Sequence, residues 1–395
     1  MNLRVDISIF IKKNEMFTMK IIIASDSFKG SLSSQEVNNI IANTIEENFT
    51  DIEILKINIA DGGEGTLDAI INVCNCEIKE TIVNDALVKN KIKVKWALIN
   101  NKRDAIFEVA SIVGLYLLKE NERNPLFTTT YGIGELILHI LDYNVENIYI
   151  GLGGSSTNDA GTGALKALGI KFLDVNNKEI QLGGINLLNL NKIDISNINK
   201  KVLNTNFILL SDVDNVLCGN NGASYIFGPQ KGASLEDIKT LDNALQNFQN
   251  ILKKDFNIDI STLKGGGAAG GIGAGFKAFL KSEIKSGIKT ILELINFENI
   301  IKDSDFIITG EGKIDYQTKY GKAIKGISDI AKKHNKPVFA FCGIIDGDKE
   351  ILCNQIGLKN IFPVVNNIVS LENSIKNPNF YLSNTVRNNI DKLFI

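Results

Sequence analysis

One segment of the chain places glycines, hydroxyls, an amide and a carboxylate directly after an apolar run. It reads IYIGLGGSSTNDAGTGALKALG and covers residues 148–169. Its β-branched start predicts a buried strand, and the alanines and leucines at its end return at helical spacing. Backbone N–H groups that collect at the start of a helix bind anions. The segment therefore predicts an anion site; a capped helix after a glycine-rich turn is the alternative. The residues of this site are Gly153, Gly154, Ser155, Ser156, Thr157 and Asn158, with Asp159 beside them.

Four other apolar segments end in loops of similar composition, at residues 26–31, 61–66, 212–215 and 310–315. Each loop is expected at the carboxyl end of a strand, where parallel sheets bind ligands. One such loop is ordinary, but five are hard to explain as turns alone. Together they predict a cleft that holds a phosphorylated ligand, with carboxylates for Mg²⁺ and for a general base. Phosphoryl transfer needs little more, because its catalysis is mostly positioning and charge stabilisation.

Two pairs of carboxylates stand out within these loops. Asp61 and Glu64 are separated by two glycines, and a hard cation such as Mg²⁺ prefers oxygen ligands of this kind. Asp212 and Asp214 alternate after another apolar strand, which is a pattern for a magnesium site or a base. A capped turn is the competing interpretation of the second pair.

The richest glycine run, GGGAAGGIGAG at residues 265–275, contains one G-x-G-x-x-G pattern. The residues before it, STLK, do not predict a strand, so the pattern is weak evidence for a dinucleotide site. A glycine hinge or close helix packing would produce the same run. The chain contains no G-x-x-x-x-G-K-[ST] pattern, which excludes a P-loop.

Composition and length narrow the class of protein. A chain of 395 residues predicts two domains, and the alternating helix and strand patterns of its final third predict a parallel sheet wound on both faces. The net charge of −2, without a basic cluster, argues against nucleic acid as a partner. No apolar run reaches the 18 or more residues that a membrane span requires, so no membrane association is expected. Five cysteines with two histidines predict no zinc site and indicate a reduced, cytoplasmic protein.

The first 18 residues lack the pattern of a signal peptide. Met19 stands directly before the first clear strand and is a second candidate start. Residues 1–18 are therefore expected to be an extension outside the fold.

Eight segments resemble the bacterial class I glycerate kinase family. In the family's order they are KIIIASDSFKGSLSS, ADGGEGT, RNPLFTTTYGIGELI, GLGGSSTNDAGTGALKALG, SDVDN, NGASYIFGPQKGAS, GGGAAGGIGAG and ITGEGKIDYQT. The resemblance covers nearly everything from Met19 to about residue 365. The resemblance implies an ATP-dependent kinase of D-glycerate that uses Mg²⁺ and usually forms 2-phosphoglycerate. It also implies two α/β domains. One is a flavodoxin-like, doubly wound parallel sheet made of residues 19–75 and 295–395, and the other is a mixed α/β domain inserted at residues 76–294.

Within this family, we assign roles to individual residues as a hypothesis. Asp212 or Asp315 would accept the proton of the substrate hydroxyl, with Lys29 as a further catalytic residue. Lys29, Arg123 and Lys313 would offset negative charge on the ligands. Lys313 stands where the family usually has arginine, so it keeps the charge but loses the bidentate fork. Magnesium would bind Asp61, Glu64, Asp159 or Asp214. Besides the 153–158 loop, the remaining substrate or phosphate contacts would come from Ser27, Ser31, Lys231, Gly265, Gly266, Gly267, Gly310 and Glu311.

Other readings of the sequence stay open at this stage. The GLGGSS loop also resembles the phosphate loop of the galactokinase and homoserine kinase superfamily, so another small-molecule kinase is one alternative. A nicotinamide-dependent dehydrogenase would use the 265–270 glycines, although no acidic residue follows at the expected distance. A third alternative is a non-catalytic metabolite sensor derived from a kinase. The retained candidate carboxylates argue against it, because a sensor has no need of a base. The sequence also leaves open phosphorylation of the 3-hydroxyl, the pathway, and the oligomeric state, with a homodimer as one alternative.

Overall fold

The computed structural model describes residues 18–320 and 322–394. The extension predicted for residues 1–18 lies outside this range, apart from its last residue. In the described part, strands β1 to β13 are Met19–Ser25, Ile52–Asn58, Glu77–Asn84, Lys91–Ile99, Asp104–Glu108, Asn147–Gly151, Lys171–Leu173, Lys192–Asp194, Asn206–Leu210, Ser282–Lys285, Phe306–Asp315, Val338–Asp346 and Asn360–Pro363. Helices α1 to α15 are Ser34–Glu46, Thr66–Val73, Ala110–Val113, Tyr131–Leu141, Thr162–Ala167, Lys200–Leu203, Ala223–Phe227, Leu235–Phe256, Ala268–Phe279, Gly287–Leu294, Phe297–Ile300, Ala323–Lys333, Lys349–Ile356, Leu371–Lys376 and Pro378–Asn389.

The first domain is built on a five-stranded sheet with the order β13-β12-β11-β1-β2. All of its pairings are parallel, with Ile21 opposite Phe306 on one side and Ile54 on the other. A parallel sheet needs helices on both faces. One face packs against α1 and α15 through residues such as Ile41 and Val386. Because β1 and β2 precede the second sheet in the chain while β11 to β13 follow it, this domain is discontinuous.

The second domain is built on a six-stranded mixed sheet with the order β10-β9-β6-β5-β4-β3. The β3–β4 and β4–β5 pairs are antiparallel, and the remaining pairs are parallel. Its strands all lie between residues 77 and 285. The predicted fold class, with a mixed α/β domain inserted into a discontinuous, doubly wound parallel domain, is confirmed.

The two sheets share one apolar layer. A single buried cluster combines Ile57 of the first sheet, Ile106 and Leu210 of the second, and Ile70 of α2 with Ile291 of α10. Burial of such side chains contributes about 25 cal/mol for each Å² of apolar surface. The two domains are therefore held together by a common core as well as by the connecting chain.

One predicted loop is a strand. Residues 310–315 were expected to leave the sheet after the apolar run FIIT, but β11 continues to Asp315 and stays paired with β12 as far as Asp346. The glycines of this stretch allow close backbone approach, since a Cβ on Gly310 would lie 2.6 Å from the carbonyl oxygen of Phe341. Glu311 and Lys313 therefore project from a strand.

None of the helices within the described residues is long and apolar enough to cross a membrane.

Candidate active site

A cleft of about 1260 Å³ lies where the carboxyl ends of β1, β2, β6 and β9 meet. A second cavity of about 300 Å³ joins it and continues beneath α14 and α15, where its wall is apolar. The predicted residues that line one or both cavities are Ser27, Lys29, Ser31, Asp61, Glu64, Gly153, Gly154, Ser155, Asp212, Asp214, Lys231, Glu311 and Lys313. Other predicted residues of the described chain line neither cavity, namely Arg123, Ser156, Thr157, Asn158, Asp159, Gly265, Gly266, Gly267, Gly310 and Asp315.

Two glycine loops, one from each domain, meet in the floor of this cleft. The N–H of Gly153 donates to the carbonyl oxygen of Gly62 at 3.2 Å. A Cβ on Gly153 would lie 2.5 Å from the Cα of Gly63, which real Cβ atoms do not tolerate. Glycine at position 153 is thus required by backbone packing between the loops, whatever its role toward a ligand.

This contact predicts a large effect for Gly153→Ala. The added methyl group must push the two loops apart, and overpacking of this kind costs about 1–3 kcal/mol. We expect a lower urea midpoint together with a loss of turnover, because the same loops line the cleft. Gly219→Ala is the matched control: Gly219 has a φ of +86° but nothing within 4 Å of its Cβ position, so alanine strains the backbone there without a clash. Equal activity loss in both variants would contradict this account.

The loop after β6 divides into a cleft-facing part and a buried part. Gly153, Gly154 and Ser155 line the cleft, and within the described chain no backbone carbonyl accepts the N–H of Gly154 or Ser155. Ser156 instead donates both its N–H and its hydroxyl to the carbonyl oxygen of Val113, at 2.8 Å each. The first part of the loop can bind an anion, and the second part anchors it.

Asp159, predicted as a magnesium ligand, faces the interior instead. Its side chain is completely buried. Its carboxylate accepts hydrogen bonds from the N–H and hydroxyl of Thr130, from the hydroxyl of Thr129, and from the N–H groups of Gly161 and Gly163, at distances of 2.9 to 3.3 Å. Burial raises the pKa of Asp159, and these hydrogen bonds oppose that shift. The carboxylate ties the start of α4 to the start of α5 and lines neither cavity, so this geometry favours a structural role over that of a magnesium ligand.

Three of the predicted magnesium ligands do line the cleft. Asp61 is half-buried and lies 3.6 Å from the ammonium of Lys29, whereas Glu64 and Asp214 are exposed. No group of three or more acidic, histidine or cysteine side chains in the described chain forms a ready metal cluster. Mg²⁺ is commonly held by one or two carboxylates together with substrate phosphates and water. The carboxylates of this cleft fit that requirement.

The two candidate bases differ in their surroundings. Asp212 projects into the cleft and accepts the N–H groups of Gly287 and Ile288, at 3.1 and 3.2 Å, at the start of α10. Asp212 keeps an exposed surface toward the cleft, and partial desolvation of its carboxylate by the surrounding protein raises the pKa of Asp212 to about 6. Asp315 instead lies 3.7 Å from the ammonium of Lys313 and 3.8 Å from that of Lys322. Asp315 is thus engaged in two ion pairs and lines neither cavity, whereas Asp212 lines the cleft.

Burial also perturbs acidic residues that were not among the predicted bases or magnesium ligands. Asp26 lines both cavities, and burial together with the charge of Asp61 raises its pKa to about 6. Burial raises the pKa of Glu108 to about 7, and Glu108 accepts the N–H of Leu67 at 2.6 Å near the start of α2. Glu311, predicted only as a ligand contact, likewise has a pKa raised to about 7 by burial. The position of Asp26 directly after β1 was the signal that could have identified it.

The glycines of the run at 265–275 are closely packed, while Ala268 and Ala269 of the same run line the cleft. Gly266 and Gly267 donate their N–H groups to the carbonyl oxygens of Leu263 and Asn215, so these groups are already paired within the protein. A Cβ on Gly270 would lie 1.9 Å from the carbonyl oxygen of Thr157. The close-packing alternative therefore explains the run, which places α9 against the buried part of the loop after β6.

Arg123 is also engaged within the protein. Its side chain donates to the carbonyl oxygen of Leu118, and its backbone packs against Gly232.

The cleft combines a loop of glycines and serine, a buried lysine, and several carboxylates at the carboxyl ends of strands. This combination defines an enzyme of the phosphotransferase class. The model of the glycerate kinase family matches residues 21–393. The glycerate kinase of Haemophilus influenzae is 40% identical over 94% of this chain and 97% of its own length. The glycerate 2-kinase of Escherichia coli is 40% identical over 91% of this chain and 93% of its own length. A crystal structure assigned to glycerate kinase 2 of Salmonella typhimurium LT2 superposes with a TM-score of 0.79 at 40% identity, covering 95% of this chain and 98% of that one.

The chain belongs to the glycerate kinase family. It is a phosphotransferase with an alcohol group as acceptor, and the family implies ATP as the phosphate donor.

Proposed function

We propose that this protein transfers the γ-phosphoryl group of ATP to the 2-hydroxyl of D-glycerate and releases 2-phosphoglycerate. The observation that carries the proposal is the single cleft that brings the anion-binding part of the loop after β6 together with Asp212. The Escherichia coli relative named glycerate 2-kinase supports the choice of hydroxyl.

In the proposed reaction the substrate hydroxyl attacks the γ-phosphorus in line with the departing ADP oxygen. Asp212 accepts the proton that the hydroxyl loses as the new O–P bond forms and the bond to ADP breaks. A carboxylate with a pKa near 6 is ionised at neutral pH, and it is more basic than an ordinary aspartate. A base of this kind typically contributes about 10² to 10⁴-fold to the rate.

The remaining charged groups of the cleft would hold the reactants. Lys29, Lys313 and Lys322 line the cavities and can offset the charge of the glycerate carboxylate or of the phosphates. Asp61, Glu64 and Asp214 would hold Mg²⁺. The ion would neutralise charge on the phosphate oxygens.

A coupled assay tests this proposal directly. Purified protein is mixed with D-glycerate, ATP and Mg²⁺, first with enolase alone and then with phosphoglycerate mutase added. We expect an immediate signal with enolase alone, because enolase consumes 2-phosphoglycerate. A signal only after the mutase is added would move the phosphate to the 3-position. No signal in either assay, while homoserine or a sugar is phosphorylated, would show a different acceptor.

A further inference from the structure

Lys231 is a buried cation in the wall of the cleft. It ends a short 3₁₀ turn at Pro229–Lys231, and only 2% of its surface is exposed. Its ammonium donates to the hydroxyl of Ser155 at 3.1 Å and to the carbonyl oxygen of Thr157 at 2.7 Å. An ammonium has three N–H donors. Within residues 18–320 and 322–394, the third donor has no hydrogen-bond acceptor in the protein.

The ammonium also lacks a counter-ion. No carboxylate of the described chain lies within 4.0 Å of it, so neither of its two acceptors carries a formal charge. Asp159 acts on it from a greater distance, but that carboxylate is already enclosed by its own donors. An isolated buried charge is costly, and such groups tend to neutralise. Burial accordingly lowers the pKa of Lys231 to about 7, against a weaker opposing effect of Asp159.

A bound phosphate would supply what Lys231 lacks. Lys231 lines the same cleft as Gly154 and Ser155, whose backbone N–H groups are not accepted by any carbonyl of the described backbone. The unpaired N–H of the Lys231 ammonium and the two backbone N–H groups make three donors. A lysine together with loop N–H groups is a usual phosphate site. The carboxylate of glycerate is a smaller anion with fewer acceptor oxygens, so this set of donors favours a phosphoryl group.

We propose that Lys231 is the counter-ion of a nucleotide phosphoryl group and that it takes up a proton when the nucleotide binds. The proposal rests on the proposed function only in taking the ligand to be a nucleotide. Phosphate binding then depends on pH, because Lys231 is only partly protonated near neutral pH when no nucleotide is bound. Lys231 is thus partly neutral in the unliganded protein and fully charged in the complex.

The sign of the effect follows from linkage. At a pH near 6, Lys231 is mostly protonated with or without ligand, so nucleotide binding adds almost no proton to this group. At a pH near 8, the empty site holds mostly neutral lysine and the complex holds charged lysine, so uptake from this group approaches about one proton for each nucleotide bound. Asp26 and Glu311, with pKa values raised to about 6 and 7, would contribute mainly at lower pH. Uptake that persists near pH 8 is therefore the signature of Lys231.

Titration calorimetry of the full chain with ADP and excess Mg²⁺, in two buffers of different ionisation enthalpy, measures this uptake. We expect it to rise from pH 6 to pH 8 with ADP and to be absent with adenosine, which has no phosphate. Uptake near pH 8 with D-glycerate alone, and none with ADP, would overturn the proposal. The absence of proton uptake with both ligands, under conditions in which ADP binds, would also overturn the proposal.

The variant Lys231→Met retains the length of the side chain and removes its charge. We expect it to weaken ADP binding about 10 to 100-fold near pH 7 and to abolish the uptake near pH 8. Lys239→Met removes an exposed lysine of α8 and is the matched control. Unchanged proton uptake in Lys231→Met would overturn the proposal. Because binding is measured without turnover, a failure to phosphorylate glycerate would contradict the proposed function and leave this inference standing.

Discussion

Asp212→Asn is expected to lower kcat by about 10² to 10⁴-fold while the KM for ATP changes little. The substitution keeps the shape of the side chain but removes its ability to accept the hydroxyl proton. An asparagine oxygen can still accept an N–H of Gly287 or Ile288, so the start of α10 keeps part of its anchor. We expect the free energy of unfolding to change by about 1 kcal/mol or less. Steady-state kinetics and urea unfolding of the same preparation measure both quantities.

Asp315→Asn is the matched control for this prediction. Asp315 is the other candidate base, but Lys313 and Lys322 hold it within 3.8 Å. We expect its removal to lower kcat by less than about 10-fold, because the two neighbouring lysines lose one ion-pair partner but keep their own charge. A larger loss in Asp315→Asn than in Asp212→Asn would reverse the assignment, and near-normal activity of Asp212→Asn would remove Asp212 as the base.

Periodicity and loop composition predicted much of the fold and of the cleft. The apolar runs before Asp26, Asp61 and Gly153 are strands whose carboxyl ends meet at one cleft, because parallel pairing aligns those ends. The stretch at 310–315 did not follow this rule. Its glycines resembled a turn, but pairing of β11 with β12 along the whole stretch kept it in the sheet. Local composition does not report such long-range pairing.

Side-chain direction is the part that the sequence could not predict. Ser155 and Ser156 are neighbours of the same type, yet the first lines the cleft and the second bonds to Val113. Asp159 turns inward because its donors come from Thr129 and Thr130, about thirty positions earlier in the chain. Lys231 was predicted as a phosphate contact from its motif, but its burial without a counter-ion depends on where the 153–158 loop lies. Each of these properties arises from tertiary contacts.

Asp159→Asn is expected to destabilise the protein by about 3 kcal/mol or more. The buried carboxylate satisfies three backbone N–H groups and two hydroxyls. An asparagine offers one acceptor oxygen and turns an NH₂ group toward the remaining donors, so at least one buried donor loses its partner. Loss of this partner costs the full desolvation of the group, which is larger than the energy of an average hydrogen bond. A lower urea midpoint with an unchanged m value is the expected observation.

The control for this variant is Asp174→Asn, because Asp174 also accepts backbone N–H groups, from Asn176 and Lys178, but does so at an exposed turn. Water can replace a lost partner there, so we expect a change of about 0.5 kcal/mol or less. The pair also separates the two roles considered for Asp159. A magnesium ligand would leave unfolding without Mg²⁺ nearly unchanged in Asp159→Asn and would raise the Mg²⁺ concentration needed for activity. If the carboxylate is instead structural and shared by α4 and α5, Asp159→Asn lowers stability equally with and without the ion, because the donors to Asp159 are all protein groups.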